Sequence, residues 1–121
     1  YRMHTQGEHK LSIRAAAATG RVGYLYQTGD HWSLIVRNFF LNPSGEYVDA
    51  PWDEMDYPGF AVQLCNVKSG LGSFSELEYH IPAIGRGTGT DRCFDTSVVW
   101  AYRGPKSPIL AVARRLLGAE I

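Results

Sequence analysis

Cysteine, an excess of either charge and long apolar runs are what this 121-residue chain has little of, and each shortage excludes something. No apolar stretch approaches the ~20 residues that a bilayer-spanning helix needs. Lys+Arg and Asp+Glu number 12 each, so the formal net charge is zero. That balance leaves no electrostatic footprint for nucleic acid or for an anionic membrane, and neither is an expected partner. The two cysteines, Cys65 and Cys93, form no CxxC pair and have no histidine at zinc-finger spacing. No structural metal site and no cofactor are therefore expected. A single disulfide between them stays open, with two free thiols the commoner state, and the redox compartment stays open with it. The first residue is Tyr1 rather than Met, with no apolar signal segment behind it. The expectation is a chain with something removed from its front, or a piece of a longer protein.

What is present reads as one globular domain spanning residues 1–121. Hydrophobic residues make up 45% and charged residues 20%, which is enough apolar surface to build a core. Such a length buries roughly two-thirds of the unfolded surface. Most of the chain carries β signals. Leu11 to Ala18 (LSIRAAAA) is either strand or helix, its alanines favouring helix and the following Gly20 a bend. Arg21 to Gln27 (RVGYLYQ) and His31 to Leu41 (HWSLIVRNFFL) flank Thr28-Gly29-Asp30 and predict a hairpin. Asn42-Pro43-Ser44-Gly45 is the clearest turn. Glu46 to Gly59 predicts an ordered surface loop, Phe60 to Lys68 a strand closed by Ser69-Gly70-Leu71-Gly72, and Ser73 to Ile84 another strand. Gly85 to Thr90 has the glycine content of a phosphate-cradling loop, but the residues after it read as strand. It is taken as a connection, since such a loop needs a helix N-terminus behind it. Phe94 to Arg103 is a further strand.

One helix is predicted, at the C-terminal end. Ser107 is read as its N-cap and Pro108 as its first residue. Ile109, Val112, Ala113, Leu116 and Leu117 recur at helical spacing, Arg114 and Arg115 suit the last turn, and Gly118 stops it. The fold class is thus mainly β, an antiparallel sandwich or curved sheet with one C-terminal helix packed against it.

The stretch from Gly72 to Ala83 (GSFSELEYHIPA) carries the most chemistry. Alternate residues of a strand share a face. Leu77, Tyr79 and Ile81 then point into a core, and Phe74, Glu76, Glu78 and His80 point the other way. Two carboxylates and an imidazole, ~7 Å between successive members, form an acid/base cluster or else a solvated sheet face. Arg37 and His31 share a face of their own strand and are the other polar candidates. Arg37 suits a carboxylate or a sugar hydroxyl, and is equally at home in a surface ion pair. Among the aromatics some would serve as sugar-stacking platforms and most as core.

The order of several segments resembles the C-terminal part of the galactose-mutarotase-like (aldose epimerase) β-sandwich superfamily, which includes uncharacterised bacterial proteins. Glu8 to Ile13 is similar to a strand that opens the family's second half. Trp32 to Phe40 is similar to one of its core strands, and Ser73 to Pro82 to its Leu-Glu motif. Gly85 to Trp100 is similar to a loop leading into a strand that ends in Trp. The resemblance implies a concave sheet face that binds a small sugar. It implies proton transfer in which Glu78 inherits the general-base role. From the residues themselves, His80 is expected as its partner in proton transfer, with Arg37, Glu76, His31 and Trp32 expected to bind substrate. Tyr79, His80 and Pro82-Ala83 stand where the family continues with Gln and a Pro-Asp pair, and the family's acid histidines belong to an N-terminal half outside this sequence. Any catalysis is accordingly expected to be residual. The alternative is a non-catalytic module that self-associates into a homo-oligomer, or docks on a missing sandwich half, through unpaired edges and an apolar sheet face.

Overall fold

The computed structural model describes residues 7–50, 58–85, 87, 89–118 and 120. These are mainly β, forming two antiparallel three-stranded sheets and one C-terminal helix. The strands in chain order are β1 (His9–Ile13), β2 (Arg21–Thr28), β3 (His31–Phe39), β4 (Val62–Ser69), β5 (Gly72–Tyr79) and β6 (Ser97–Gly104). Helix α1 is Lys106–Leu117. The chain divides into two compact units, Tyr1–Ala18 with Leu41–Asp95, and Thr19–Phe40 with Thr96–Ile121.

The first unit holds the sheet β1-β4-β5. The LSIRAAAA run, compatible with strand or helix, forms both in turn. Its first half pairs with β4, in a ladder from His9↔Asn66 to Ile13↔Val62. Its alanines then make one 3-10 turn, Ala15–Ala17, with Ala17 N–H donating to the Arg14 carbonyl at 3.0 Å. Strands β4 and β5 form a hairpin through Gly70-Leu71, with Ser69 opposite Gly72. The Leu71 N–H bonds the Ser69 hydroxyl oxygen at 3.1 Å, so the turn is held from within. Strand β5 ends at Tyr79, five residues before its predicted end at Ile84. His80 still donates its N–H to the Ala61 carbonyl at 2.8 Å, but Pro82 has no N–H for a ladder and Ala83 turns its own to Glu46.

A small core of Ala15, Tyr47 and Ala61, with Leu41 against it, sits beside the Asn42–Gly45 turn. That turn forms as expected. The Asn42 side chain accepts from Ser44 N–H, and the Tyr47 hydroxyl donates to the Asn42 carbonyl at 3.1 Å. Of the predicted loop Glu46–Gly59, residues 51–57 lie outside the described residues. Gly59 takes φ +78°, and a Cβ there would lie 2.2 Å from the Tyr47 carbonyl oxygen. Only glycine allows that approach.

The second unit holds the sheet β2-β3-β6. The predicted hairpin is present, with Thr28 opposite His31 and Gly29 at φ +59° in the two-residue turn. Strand β6 pairs with the other side of β3 and begins at Ser97 rather than Phe94, leaving Phe94 exposed. Helix α1 lies on this sheet. Its Ile109 and Ala113 meet Leu34 and Val36 of β3, both at 0% exposure, with Trp32, Leu25 and Tyr102 packed around them. Burying such a side chain fully is worth ~1.5–3 kcal/mol. Gly23 makes room for the helix, since a Cβ there would lie 2.6 Å from Leu117 Cδ1.

The helix begins at Lys106, one residue before the predicted cap, with Pro105 as its N-cap residue. Ser107 is therefore inside the helix and does not cap it. Pro108 falls at the third helical position, where the N–H it lacks is still one that no preceding carbonyl would accept. The far end is as expected. Gly118 adopts φ +66° and donates to the Arg114 carbonyl at 2.9 Å. No helix among the described residues is long and apolar enough to cross a membrane.

Candidate functional site

The β4–β5 register builds the site. Phe74, Glu76 and Glu78 stand opposite Val67, Cys65 and Gln63. On the other side of β4, Lys10 and Ser12 of β1 stand opposite Cys65 and Gln63. Residues directly opposite in an antiparallel ladder share a face. Two rungs therefore cross the sheet on one face, Lys10–Cys65–Glu76 and Ser12–Gln63–Glu78. His80 follows two residues beyond Glu78, kept in line by its bond to Ala61. The other face carries Leu11, Leu64 and Leu77 in one rung and Ile13, Val62 and Tyr79 in the next. The hydroxyl of Tyr79 donates to the Asp95 carboxylate.

The three acid/base candidates of the Gly72–Ala83 stretch are thus on one face, as the alternation requires. His80 Nε2 lies 3.9 Å from Glu78 Oε2, an ion-pair distance once the imidazole is protonated, and the two side chains are 23% and 44% exposed. The ring's Nδ1 is buried and has no hydrogen-bond partner among the described residues. Nε2 is then the nitrogen that faces the carboxylate, at an ion-pair distance longer than a hydrogen bond.

Cys65 is a site residue that the strand pattern alone does not reveal. Its thiol donates to Glu76 Oε2 at 2.7 Å. Burial first, then this bond and the negative charges of Glu76 and Glu78, push the thiol from 9.0 up to about 11, while Lys10 pulls the other way. A neutral thiol that keeps its proton occupies one oxygen of Glu76 and leaves Glu78 as the carboxylate facing His80. A signal for this is present in the sequence. Reading Ser69-Gly70-Leu71-Gly72 as a two-residue hairpin fixes the register and sets Cys65 opposite Glu76. Cys65 and Cys93 are both free thiols.

His31, Trp32 and Arg37 lie in the second unit, away in the chain from the rungs just described. His31 is exposed at the start of β3, and Arg37 sits on the same face, paired with Val22 and Val99. Trp32 is on the opposite face, among the residues packed beneath α1, with Lys106 Nζ 5.2 Å from its ring centroid. That is a cation–π contact, and it ties the start of the helix to the sheet. The glycine-rich segment closes on itself through Gly85 N–H and the Thr90 carbonyl and leads on toward β6, with residues 86 and 88 outside the described set. Among the described residues no three His, Cys, Asp or Glu side chains converge as metal ligands.

Comparison of the chain with protein-family models, with curated proteins and with solved structures finds no match in any of the three.

Proposed function

We propose that the chain is a carbohydrate-binding β domain of aldose-epimerase-like descent, and that Glu78 and His80 transfer protons on the bound sugar. The observation that carries this reading is the Glu78–His80 pair, 3.9 Å apart at the far end of a polar sheet face. The chemistry follows from the two groups. Glu78 takes the proton of the anomeric hydroxyl, and the O–H electron pair becomes the carbonyl bond at the anomeric carbon. The bond from that carbon to the ring oxygen breaks, its electrons go to the ring oxygen, and protonated His80 supplies the proton there. Rotation and reclosure on the other carbonyl face return both protons and give the other anomer. Nothing is consumed. Glu76, held by Cys65, and Lys10 offer hydrogen bonds to the remaining hydroxyls.

The test is a titration of the chain with a panel of aldoses, read by heat and by the rate of anomeric exchange. Binding and accelerated exchange are expected. No heat and no acceleration with any member would end the reading.

A second reading has one specific observation in its favour. Strand β6 is an edge of its sheet, and its consecutive residues Val98, Val99 and Trp100 are all exposed. An apolar β edge of this kind pairs readily with another chain. In that reading the module self-associates, and sedimentation showing a monomer at high concentration would dispose of it.

A further inference from the structure

The polar face does not stop at the carboxylates. Phe74 continues the same alternation, one step toward the hairpin turn from Glu76, and pairs across the ladder with Val67. Its residue is 43% exposed, an open aromatic ring beside a row of charged and hydroxyl-binding groups. At ~3.4 Å per residue the row from Phe74 to His80 is ~20 Å long, more than a single sugar ring occupies. An exposed ring with Glu76 and Lys10 next to it offers both things a pyranose presents a need for, a flat apolar surface for its C–H face and polar groups for its rim of hydroxyls.

We propose that the ligand of this face is an oligosaccharide rather than a single aldose, with its reducing-end ring at Glu78 and His80 and a further ring stacked on Phe74. The inference rests on the carbohydrate reading above and adds a second subsite to it. Glu76 and Lys10, in the rung between, would hydrogen-bond the hydroxyls of the rings that lie between these two. Val67, the cross-strand neighbour of Phe74, supports the aromatic ring from the β4 side.

The alternative role for Phe74 is hairpin packing against Val67 alone, and the experiment separates the two. Affinities are measured for gluco-, galacto- and manno-oligosaccharides of one to five rings, on the unaltered chain and on Phe74→Leu and Phe74→Trp. Leucine keeps the apolar contact with Val67 and removes the stacking surface, whereas tryptophan enlarges it. Thermal melting of each variant checks that the fold is intact. The expected result is an affinity that rises about five-fold, the size of one aromatic contact, from one ring to the roughly four or five that reach from Glu78 to Phe74. That gain is lost in Phe74→Leu and kept in Phe74→Trp, with single-ring binding unchanged in both. Equal affinity for one and five rings, or a length gain that survives Phe74→Leu in a folded protein, overturns the Phe74 subsite and leaves the sugar reading standing. Binding of no member of any series overturns both.

Discussion

Raising the pH isolates the contact at the centre of the site. The Cys65 thiol, with its pKa of about 11 in the folded chain, has an ordinary value of 9.0 to return to on unfolding. Below pH 9 both states hold the proton and the thiol leaves stability unchanged. Between pH 9 and 11 the unfolded chain loses the proton while the folded chain keeps it, so the unfolded state is favoured progressively. The stability present below pH 9 is lost as pH rises through 11. For a group wholly shielded from water the gap between the two values is ~2.7 kcal/mol. Cys65 is only partly buried, solvent screens it, and the expected loss is about 1 kcal/mol.

The assay is the rate of maleimide attack against pH, in a Cys93→Ser background where Cys65 is the sole thiol. Attack requires the thiolate. The rate should keep climbing toward pH 11 instead of levelling near 9. Glu76→Gln removes the hydrogen-bonded carboxylate and its charge, so the midpoint should fall toward 9 without reaching it, because burial is the larger cause. A midpoint at or below 9 in the Cys93→Ser chain, or a midpoint untouched by Glu76→Gln, would refute the assigned contact.

Two further perturbations address the frame. Leu34→Ala empties the centre of the cluster under α1 and should cost ~2–5 kcal/mol in denaturant unfolding, against the roughly 5–15 kcal/mol that holds a typical domain together. A cost under ~1 kcal/mol would mean that the helix does not pack there. Gly59→Ala combines a φ of +78° with a Cβ 2.2 Å from the Tyr47 carbonyl oxygen, and about 2–5 kcal/mol should be lost on thermal melting. An unchanged melting temperature would contradict the close approach of Gly59 to Tyr47.

The parts legible in the sequence are those decided by local physics. Period-two patterning and the Gly29 turn specify the β2–β3 hairpin, and helical spacing with Gly118 specifies α1 and its end. Where neighbours decide, sequence and structure part. Ser107 has the chemistry of a cap, but Pro105 already supplies extended backbone and the helix starts before the serine. The alanines after Ile13 favour helix by propensity, yet the ladder with β4 holds the preceding residues as strand and leaves room for one 3-10 turn only. The β5 face is legible because alternation alone places Glu76, Glu78 and His80 together. Its partner Cys65 is legible only through the two-residue turn that sets the register across the hairpin, which a single strand's pattern does not contain.

The central claim is that Glu78 is the base of a sugar-directed proton transfer, and anomeric exchange of a bound aldose measures it most directly. Glu78→Gln keeps the size of the side chain and removes the proton acceptor, so with general-base assistance worth typically about 10²–10⁴-fold, exchange should fall to the uncatalysed rate. Sugar affinity and melting temperature should stay close to those of the unaltered chain. An exchange rate left unchanged by Glu78→Gln would contradict the account.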